Sequence, residues 1–367
     1  MSLSIKNTLP LFLIFIILLN GCKKEEEDTT LGDPDLVTPV LKSVYICGYE
    51  INENGKNVAK YWKDEVEFIL SGGGTDAIAN AIWVEGSDVY VAGSRKTSSS
   101  GSMSLPVYWK NSNEITLSSN PAPFSTATDI FLDGNDVYVV GYERNDDGVE
   151  VAKMWLNGEP TDLSNGTIEA KALAVFVDNG DVHVVGTQNA SEFSNTGIAM
   201  HWINGVPTEL TDGETEAAAF DIDISDGNVY ICGVAYYEDA DNNEFANKMV
   251  WLNDVPQNSP NMNIATSANG ICVDGSDVYL AGYNEGSGVL SGYWKNGGFI
   301  SLDPGIAFMP GGERAWKIAV DNNDVYVVGS YSIPDGSSVR GVYWKNGIPF
   351  TLGSTPYQEG LYDIFIK

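Results

Sequence analysis

Positive charge, histidine and cysteine are all scarce in this chain. Its 367 residues include 20 lysines and arginines against 50 aspartates and glutamates, so the formal net charge is -30. A surface this acidic repels phosphates, which disfavours nucleic acid and anionic lipid as partners and favours solubility and cations. With two histidines and four cysteines, the sequence offers little for a zinc site or a disulfide framework.

Long hydrophobic runs and amphipathic helices are missing as well. The longest apolar run, residues 9–19, is shorter than the roughly 20 residues that a membrane-spanning helix needs. After residue 43 no segment has a convincing amphipathic helical pattern, whereas aromatic residues make up 11% of the chain and glycine and valine are abundant. This composition indicates an all-β protein rather than a disordered acidic one.

The N-terminus has the layout of a secretory signal peptide, with one cation, Lys6, before the apolar run. The segment Leu19-Asn20-Gly21-Cys22 that follows the run resembles a bacterial lipobox. The resemblance implies that diacylglycerol is attached to the thiol of Cys22 and that residues 1–21 are removed. We therefore predict a lipoprotein signal peptide over 1–21 and a membrane tether at Cys22. A short uncleaved anchor with an incidental cysteine is the alternative.

An acidic segment follows the predicted lipid site. Residues 25–28 read Glu-Glu-Glu-Asp, and a stretch containing threonine, glycine and proline continues to about residue 40. The acidic run resembles the export tag of Bacteroidetes lipoproteins, which implies an outer-membrane lipoprotein exposed on the cell surface. A solvated linker is the simpler interpretation, and both can hold together. Residues 22–43 are thus predicted to be a lipidated cysteine and a flexible acidic linker.

Residues 127–163 form a unit that the rest of the chain repeats. An apolar run meets the turn D-G-N-D at residues 133–136 and continues into a β-branched strand, which we expect Gly141 to end. A third strand ends at Trp155, and the pair Asn157-Gly158 makes a tight turn into a short fourth strand. The unit is therefore a four-stranded meander.

Two independent series of residues give the same number of copies. The second-strand aromatic position recurs every 45 to 49 residues, and each copy also has a third-strand tryptophan. The first series is Tyr45, Tyr90, Tyr138, His183, Tyr230, Tyr279 and Tyr326, and the second is Trp62, Trp109, Trp155, Trp202, Trp251, Trp294 and Trp344. A period of this length with four strands per unit is typical of a β-propeller blade.

The first copy lacks its own first strand. First-strand apolar residues occur in the other six copies at Ile82, Ile130, Val175, Ile222, Ile271 and Ile318, and the seventh, Ile364, appears only near the C-terminus. Residues 361–367 should therefore pair with the strand that carries Tyr45 and close the ring, since an open ring would leave a long strand edge exposed. We predict one all-β domain over 44–367, a monomeric seven-bladed β-propeller with four antiparallel strands per blade.

The repeat contains the pattern A-x-x-[IV], then D-G-x-D-V-Y-V-x-G, a loop, and [AGV]-x-[YM]-W-x-N-G. This arrangement resembles the bacterial extracellular HAF repeats and, more loosely, the SBBP propeller repeats, over nearly all of residues 44–367. The resemblance implies a secreted or surface propeller protein and implies no reaction.

The loops predict a binding face. In a meander the Asp-Gly and Asn-Gly turns lie at one end of the blade, while the variable second-to-third loops and the crossovers between blades lie at the other end, which we call the loop face. Variable loops on a rigid scaffold are the usual place for function. The candidate ligand-binding residues on the loop face are Tyr142, Glu143, Tyr236, Tyr237, Asp239, Asp241, Phe245, Tyr283 and Tyr331. Their rings suit stacking on a sugar or on a peptide side chain, and the carboxylates suit hydroxyl or ammonium groups.

No cofactor is predicted apart from weak calcium candidates. Asp239, Asp241 and Asn243 place oxygen donors at the alternating spacing of a calcium loop, but the turn-making glycine is missing. The loop at residues 145–148 is incomplete in a similar way. His183 and His201 could hold zinc only with further ligands that are not evident, so we expect two neutral histidines packed within a blade.

The cysteines in the propeller are expected to be buried free thiols. Cys47 and Cys232 occupy the same small-residue position in well-separated blades, and Cys272 lies in a first strand.

These patterns predict a lipid-anchored surface module that binds a glycan or a protein. A glycan-active hydrolase or lyase on the same scaffold is one alternative, although no nucleophile motif is present, and a structural surface component is another. Acids and aromatics that converge at the channel mouth would favour a ligand site, whereas their scatter around the rim would favour the structural role.

Overall fold

The computed structural model describes residues 42–189, 197–214, 216–238, 244–257, 266–284, 290–302, 314–333, 338–353 and 359–367, and all regular structure within them is β. Seven sheets of antiparallel strands form the blades of a propeller. Blade 1 contains β1 (Val44–Ile51), β2 (Asn57–Lys63) and β3 (Val66–Ile69). Blade 2 contains β4 (Ala77–Glu85), β5 (Asp88–Lys96), β6 (Met103–Lys110) and β7 (Asn113–Thr116), with the additional β8 (Ala122–Pro123) paired to β6.

The next five blades repeat the four-stranded order. Blade 3 contains β9 (Thr126–Asp133), β10 (Asp136–Arg144), β11 (Glu150–Leu156) and β12 (Glu159–Asp162), and blade 4 contains β13 (Ala170–Asp178), β14 (Asp181–Gln188), β15 (Ile198–Ile203) and β16 (Val206–Glu209). Blade 5 contains β17 (Ala217–Ser225), β18 (Asn228–Glu238), β19 (Glu244–Leu252) and β20 (Val255–Pro256), and blade 6 contains β21 (Thr266–Asp274), β22 (Asp277–Asn284), β23 (Leu290–Lys295) and β24 (Gly298–Ser301). Blade 7 contains β25 (Arg314–Asp321), β26 (Asp324–Ser332), β27 (Val339–Lys345) and β28 (Ile348–Phe350).

The last strand, β29 (Glu359–Ile366), is the innermost strand of blade 1. It pairs antiparallel with β1, and Val44 lies opposite Ile366. Ser43 and Lys367 exchange both backbone hydrogen bonds just beyond the strands. The predicted closure and the count of seven blades are therefore confirmed.

An Asn-Gly turn joins the third and fourth strands in blades 3, 4, 6 and 7. Asn157 and Gly158 both have a positive φ, 52° and 89°, as a tight hairpin of this type requires. The Asn157 side chain accepts a hydrogen bond from the Val137 amide and donates one to Asp136, at the start of the second strand. The recurring Asp and Asn of the sequence repeat are thus one hydrogen-bonded pair that ties the two turns of a blade together.

The core lies between neighbouring blades. All seven third-strand tryptophans are buried. Trp155 of blade 3 packs with Tyr90 and Ala92 of blade 2, so each tryptophan helps to join two sheets as well as to fill one. Burying large rings between sheets is what holds a ring of small sheets together.

Every innermost strand carries a β-bulge at the same position. In blade 3, Val140 pairs with Asp129 and Gly141 pairs with Ala127, which leaves Thr128 as the extra residue. A Cβ on Gly141 would collide with the carbonyl oxygen of Thr126. The prediction that Gly141 ends the second strand is wrong, because β10 continues to Arg144 and the glycine is there to accommodate the bulge.

The predicted signal peptide, Cys22 and most of the acidic linker lie outside the described residues, so they stay predictions. Within the described part of the chain there is no helix that could span a membrane.

Candidate functional site

The bulges direct seven side chains into the central channel, because an extra strand residue re-aims its side chain. These residues are Asn80, Thr128, Leu173, Phe220, Asn269, Trp316 and Tyr362, one from each innermost strand, and they line a cavity of about 380 Å³. Each innermost strand runs from the loop face towards the turn end of its blade, and the bulge lies in the first half of the strand. This cavity, the loop-side chamber, is therefore nearer the loop face.

A layer of charged residues lies directly below the bulges. Asp129, Asp221, Lys317 and Asp363 form it, and we call it the charged layer. The Nζ atom of Lys317 is 2.6 Å from Oδ1 of Asp221. The Asp221 side chain is 3% exposed, whereas the Lys317 side chain keeps 27% of its surface accessible. Since Lys317 donates this one side-chain hydrogen bond among the described residues, its other two N–H groups are open to water or a ligand.

The carboxylates of the charged layer link neighbouring blades. Asp363 of blade 1 accepts a hydrogen bond from the backbone amide of Ile82 in blade 2 at 2.8 Å. In the same way Asp129 of blade 3 accepts from blade 4, and Asp221 of blade 5 accepts from blade 6, at 2.8 and 2.9 Å. In each case the amide belongs to the innermost strand of the next blade and has no hydrogen-bond partner within its own sheet. The carboxylate takes the place of water as its acceptor.

Burial and the charges of neighbouring residues shift the pKa values of the charged layer. Burial raises the pKa of Asp129 to about 7, with Lys317 opposing the shift and the charge of Asp363 adding to it. Burial also raises the pKa of Asp363. For Lys317 burial alone would lower the pKa, but the charges of Asp221, Asp129 and Asp363 outweigh it and the pKa is raised. Lys317 is therefore a permanent cation, whereas part of the acid charge titrates near neutral pH.

On the other side of the charged layer lies a second cavity, the turn-side chamber, of about 270 Å³. Its wall comes from the residues two positions further along each innermost strand, nearer the Asp-Gly turns. They are Trp83, Phe131, Phe176, Asp223, Cys272, Ala319 and Phe365. The charged layer thus separates two chambers of different chemistry.

Those predicted ligand-binding residues whose side chains the structure describes do not converge on either chamber. Glu143 lies in a separate cavity of about 380 Å³ at the rim of blades 2 and 3, together with Asp146. Tyr142 lines a cavity of about 340 Å³ and has Lys171 Nζ 5.1 Å from its ring centre. The Tyr283 ring lies 4.8 Å from the Arg314 guanidinium carbon.

Of the remaining candidates, one tyrosine is buried, one is half-buried, and the others lie outside the described residues. Tyr331 is 3% exposed and packs in the core of blades 6 and 7, which leaves almost none of its surface for a ligand. Tyr236 is half-buried on β18. The side chains of Tyr237 and Phe245 lie outside the described residues, and so do Asp239, Asp241 and Asn243. Their binding roles stay predictions.

Sequence reasoning missed the channel residues, although a signal for them is present. The two variable positions of the motif A-x-x-[IV] are the bulge residue and the charged-layer residue, as in Ala127-Thr128-Asp129-Ile130. An irregular pair inside an otherwise regular first strand is the pattern that a bulge facing a channel produces.

The second calcium candidate is a hydrogen-bonded turn. Oδ1 of Asn145 accepts from the amides of Asp147 and Val149, and its Nδ2 donates to the Gly166 carbonyl. Such an Asx-turn already uses the oxygen that a calcium ion would need. Among the residues that the structure describes, no three His, Cys, Asp or Glu side chains are grouped as a metal site.

The two histidines form a buried hydrogen-bonded chain. Nδ1 of His183 is 3.0 Å from Nε2 of His201, whose Nδ1 is 2.7 Å from Oδ1 of Asp254 in blade 5. In the tautomer that carries its proton on Nδ1, His201 donates to the Asp254 carboxylate and its Nε2 accepts from His183. Burial and the neighbouring His201 lower the pKa of His183, as expected for packed neutral histidines. Tyr343 makes the equivalent link from blade 7 to Glu65 of blade 1 at 3.1 Å.

The cysteines of the propeller are free, as predicted. Cys47 and Cys232 are buried, and burial raises the pKa of both thiols. Cys272 is half-buried at the turn-side chamber, and burial raises its pKa to about 12.

No protein-family model and no curated protein matches the chain, so the HAF and SBBP likeness remains a resemblance of motifs. Solved structures do match. The β-propeller domain of the Trilobed protease from Pyrococcus furiosus aligns with a TM-score of 0.52 at 12% identity, over 86% of this chain and 95% of that one. That domain is described as having an open velcro topology, whereas here β29 closes the ring.

A puromycin-hydrolyzing peptidase from Mycobacterium tuberculosis aligns with a TM-score of 0.53 at 12% identity, over 84% of this chain and 51% of that one. A puromycin hydrolase gives a TM-score of 0.52 at 9% identity, over 86% and 52% of the two chains. At this level of identity these likenesses establish the propeller fold and nothing about activity.

Proposed function

We propose that this chain is a lipid-anchored surface propeller that binds a glycan in its loop-side chamber and catalyses no reaction. The observation that carries the proposal is the set of seven bulges, which bring three aromatic rings, two amides and a hydroxyl to one cavity of about 380 Å³. Pockets for small ligands are typically about 300 to 1,000 Å³, mostly apolar, with a few converging polar groups.

The distribution of side chains within the chamber suits a sugar. Tyr362 of blade 1 and Trp316 of blade 7 are neighbours in the ring, with ring centres 6.4 Å apart, and Phe220 projects from blade 5. Aromatic rings of this kind stack on the apolar face of a sugar ring. The Nδ2 group of Asn80 donates to blade 3, which leaves its carbonyl oxygen to accept from a sugar hydroxyl.

The charged layer would supply the polar floor of the chamber. Lys317 has two N–H groups to offer to sugar hydroxyls, while Asp129 and Asp363 retain lone pairs beside the amides that they bind. These carboxylates also argue against the hydrolase alternative, because each is held by the backbone amide of a neighbouring blade. A general acid has to reach the glycosidic oxygen, and a glycosidase needs a second carboxylate at a set distance.

A protein ligand on the loop face is the second candidate, and Phe124 favours it. This residue in the blade 2 to blade 3 crossover is 53% exposed, and its φ of 62° is in the left-handed region, which is strained for a bulky side chain. The turn is held because Ser104 Oγ donates to the Ser125 carbonyl at 2.8 Å. An aromatic ring presented in this way is a typical anchor for a partner.

The proposed location rests on residues 1–43. A signal peptide over 1–21, lipid on Cys22 and an acidic linker would place the propeller on the outer surface of the outer membrane. A linker of about twenty residues lets the tethered domain reach a ligand above the lipid headgroups. The membrane contact is then made through the lipid alone.

A glycan array probed with the purified full chain tests the glycan site. We expect a glycan to bind, and we expect Trp316→Ala and Tyr362→Ala each to weaken it at least about ten-fold, which is a typical effect of removing a stacking ring. Trp83→Ala, an equally large change in the turn-side chamber, is the matched control and should bind as the parent does.

Two results would overturn the glycan assignment. One is an array with no glycan bound while Phe124→Ser abolishes binding to a cross-linked protein partner, which would support the second candidate. The other is glycan binding that Trp83→Ala removes and Trp316→Ala does not. Melting temperatures of all variants show whether a loss of binding is only a loss of fold.

A further inference from the structure

The turn-side chamber is lined along one side by a continuous arc of aromatic rings. Phe365, Trp83, Phe131 and Phe176 come from blades 1, 2, 3 and 4 in order, with successive ring centres 4.9, 4.3 and 4.8 Å apart. Successive planes are inclined by 56°, 47° and 45°, close to the angle of about 51° between neighbouring blades of a seven-fold ring. Each ring therefore keeps one orientation relative to its own blade, and the arc follows the channel wall.

The arc stops where the equivalent side chains become small. Blades 5, 6 and 7 contribute Asp223, Cys272 and Ala319 at these positions, and the cavity of about 270 Å³ is bounded by them and by the aromatic arc. Trp83 and Phe131 have a ring on either side, whereas Phe365 and Phe176, at the two ends, each contact one ring. The gap therefore lies between Phe176 and Phe365. Among the described residues, neither phenylalanine has a second aromatic neighbour on the side that faces the gap.

The gap contains the carboxylate of Asp223, which is held by backbone amides. Oδ1 of Asp223 accepts from the Ile224 amide at 2.8 Å and Oδ2 from the Val273 amide at 2.6 Å. No lysine or arginine of the described chain forms an ion pair with it. Burial raises the pKa of Asp223 to about 6, and the charge of Asp221 adds to this shift, whereas the Val273 and Ile224 amides and the more distant charge of Lys317 oppose it. A partly desolvated carboxylate without an ion pair is stabilised by a cation that can reach it.

The charged layer, which forms the floor of the turn-side chamber, also favours a positively charged ligand. The charged layer contributes three aspartates and one lysine, and Lys317 is already bound to Asp221. With Asp223 and Asp321 the lining of the chamber therefore has five acids against one base, and Asp321 is paired with Lys42 at 3.3 Å. Low-dielectric walls of one sign concentrate ions of the opposite sign, and the net charge of -30 on the whole chain acts in the same direction.

We propose that the turn-side chamber binds a small organic ammonium ion. Its charged nitrogen lies against the Asp223 carboxylate, and its alkyl or aryl part fills the gap between Phe176 and Phe365. Alkylammonium groups commonly bind where aromatic rings lie beside a carboxylate. The negative faces of the rings attract the charged nitrogen, and the alkyl groups of the ligand pack against the apolar rings.

Other ligand classes fit the chamber less well. A metal ion would need further oxygen, nitrogen or sulfur ligands, and the described residues show no such group of three. An anion would be repelled by the excess of acids in the lining. A neutral apolar ligand would remove water from Asp223 without replacing its hydrogen bonds, which is unfavourable.

Choline and its neutral isostere 3,3-dimethyl-1-butanol test the proposal directly, since the two differ in charge and hardly in shape. Calorimetric titration of the purified full chain at pH 8 and about 0.15 M salt, where surface charges are screened within about 8 Å, should show one choline site. The isostere should bind at least about ten-fold more weakly. Equal binding of the two would overturn the proposal.

Three variants locate the site. Asp223→Asn should weaken choline binding at least about ten-fold, whereas Asp133→Asn, which removes an exposed acid on the same face of the ring, should leave it unchanged. Ala319→Phe should abolish binding by filling the gap while keeping every charge. This third variant keeps the test decisive if Asp223→Asn unfolds.

The choline site is independent of the glycan site. Trp316→Ala, in the loop-side chamber, should leave choline affinity as in the parent, so a failure of one proposal does not carry over to the other. Loss of choline binding in Trp316→Ala, or its retention in both Asp223→Asn and Ala319→Phe, would place the ligand elsewhere and overturn the inference.

Discussion

Lys317 and Asp221 lie 2.6 Å apart, Nζ to Oδ1, although their blades, 7 and 5, are separated in the ring by blade 6. The contact therefore spans the channel rather than joining neighbours. It also places the single lysine of the charged layer where it faces Asp129 and Asp363, whose charges help to keep it protonated. The propeller is held together at its centre by this cation as well as by the packing between blades.

Replacing Lys317 by methionine should destabilise the protein by about 3 to 5 kcal/mol, because three buried carboxylates would be left without their cation. Urea denaturation measures the change. Lys295→Met is the matched control, since Lys295 makes an ion pair of similar length, 2.7 Å, with Asp277 but is 41% exposed, and it should lose far less stability because solvent screens an exposed pair. Equal losses in the two variants would mean that the charged layer contributes no more than a surface pair.

The channel acids predict how stability depends on pH. Asp129 has a pKa of about 7 in the folded protein, against about 3.9 in an unfolded chain. Between about pH 4 and pH 7 the folded state therefore binds more protons at this site, and its contribution to stability falls as the pH rises. His183 acts in the opposite sense, because its pKa is lowered by burial, so the comparison has to be made between variants.

Asp129→Asn removes the titrating group and isolates its effect. The stability of the parent minus that of the variant should decrease by at least about 1.4 kcal/mol, the equivalent of one pKa unit, between about pH 4.5 and pH 7.5. Denaturation curves at four pH values give the slope. A difference that stays constant, or that increases with pH, would show that Asp129 is ionised like a surface acid.

The bulge glycines should tolerate no side chain. In Gly141→Ala the new Cβ would collide with the Thr126 carbonyl oxygen and lie 2.9 Å from the Ala127 Cα, so we expect a loss of about 2 to 3 kcal/mol or more. Gly298→Ala has only an ordinary contact at 3.5 Å and lies at the surface, and it should change stability by at most about 0.5 kcal/mol. A mild effect at Gly141 would mean that the innermost strand can shift away from the glycine.

The closure of the ring can be locked covalently. Because Ser43 and Lys367 exchange both backbone hydrogen bonds, the next pair, Val44 and Ile366, is a non-hydrogen-bonded pair with closely spaced side chains. Cysteines at both positions should oxidise to a disulfide that stabilises the ring by about 2 to 4 kcal/mol. The same pair under reducing conditions is the control. No oxidation, or no gain in thermal stability on oxidation, would contradict the register of β1 and β29.

The lipid tether predicts the fractionation of the protein. Cys22→Ala should abolish metabolic labelling with a fatty acid and release the chain from membranes, because stable attachment needs more than one acyl chain and Cys22 is the proposed site for them. Its melting temperature should stay unchanged. A Cys22→Ala protein that still sediments with membranes after a carbonate wash would show that another segment is the anchor.

Much of the fold follows from patterns that are local in sequence. Alternating β-branched residues, Asp-Gly and Asn-Gly turns and one tryptophan per unit depend on strand geometry and hairpin twist, which neighbouring residues set by themselves. The count of seven and the closure were predictable as well. The repeat starts one strand late at Tyr45, and the missing strand appears at Ile364.

The chambers could not be predicted in the same way, because they depend on where the closed ring places distant residues. The Asp363 carboxylate accepts from the Ile82 amide across 281 positions of the chain, and Lys317 meets Asp221 across 96. The loop residues expected to bind a ligand instead lie on separate blades, and Tyr331 is buried among the strands of blades 6 and 7.

The sequence by itself therefore determined the strands, their turns, the number of blades and the pairing that closes them, since each rests on periodicity and hairpin chemistry. Only the tertiary structure decided which side chains face the channel. A single bulge residue in each innermost strand reverses the alternation of inward and outward positions, and the seven-fold ring then brings residues from every blade within a few ångströms of one axis.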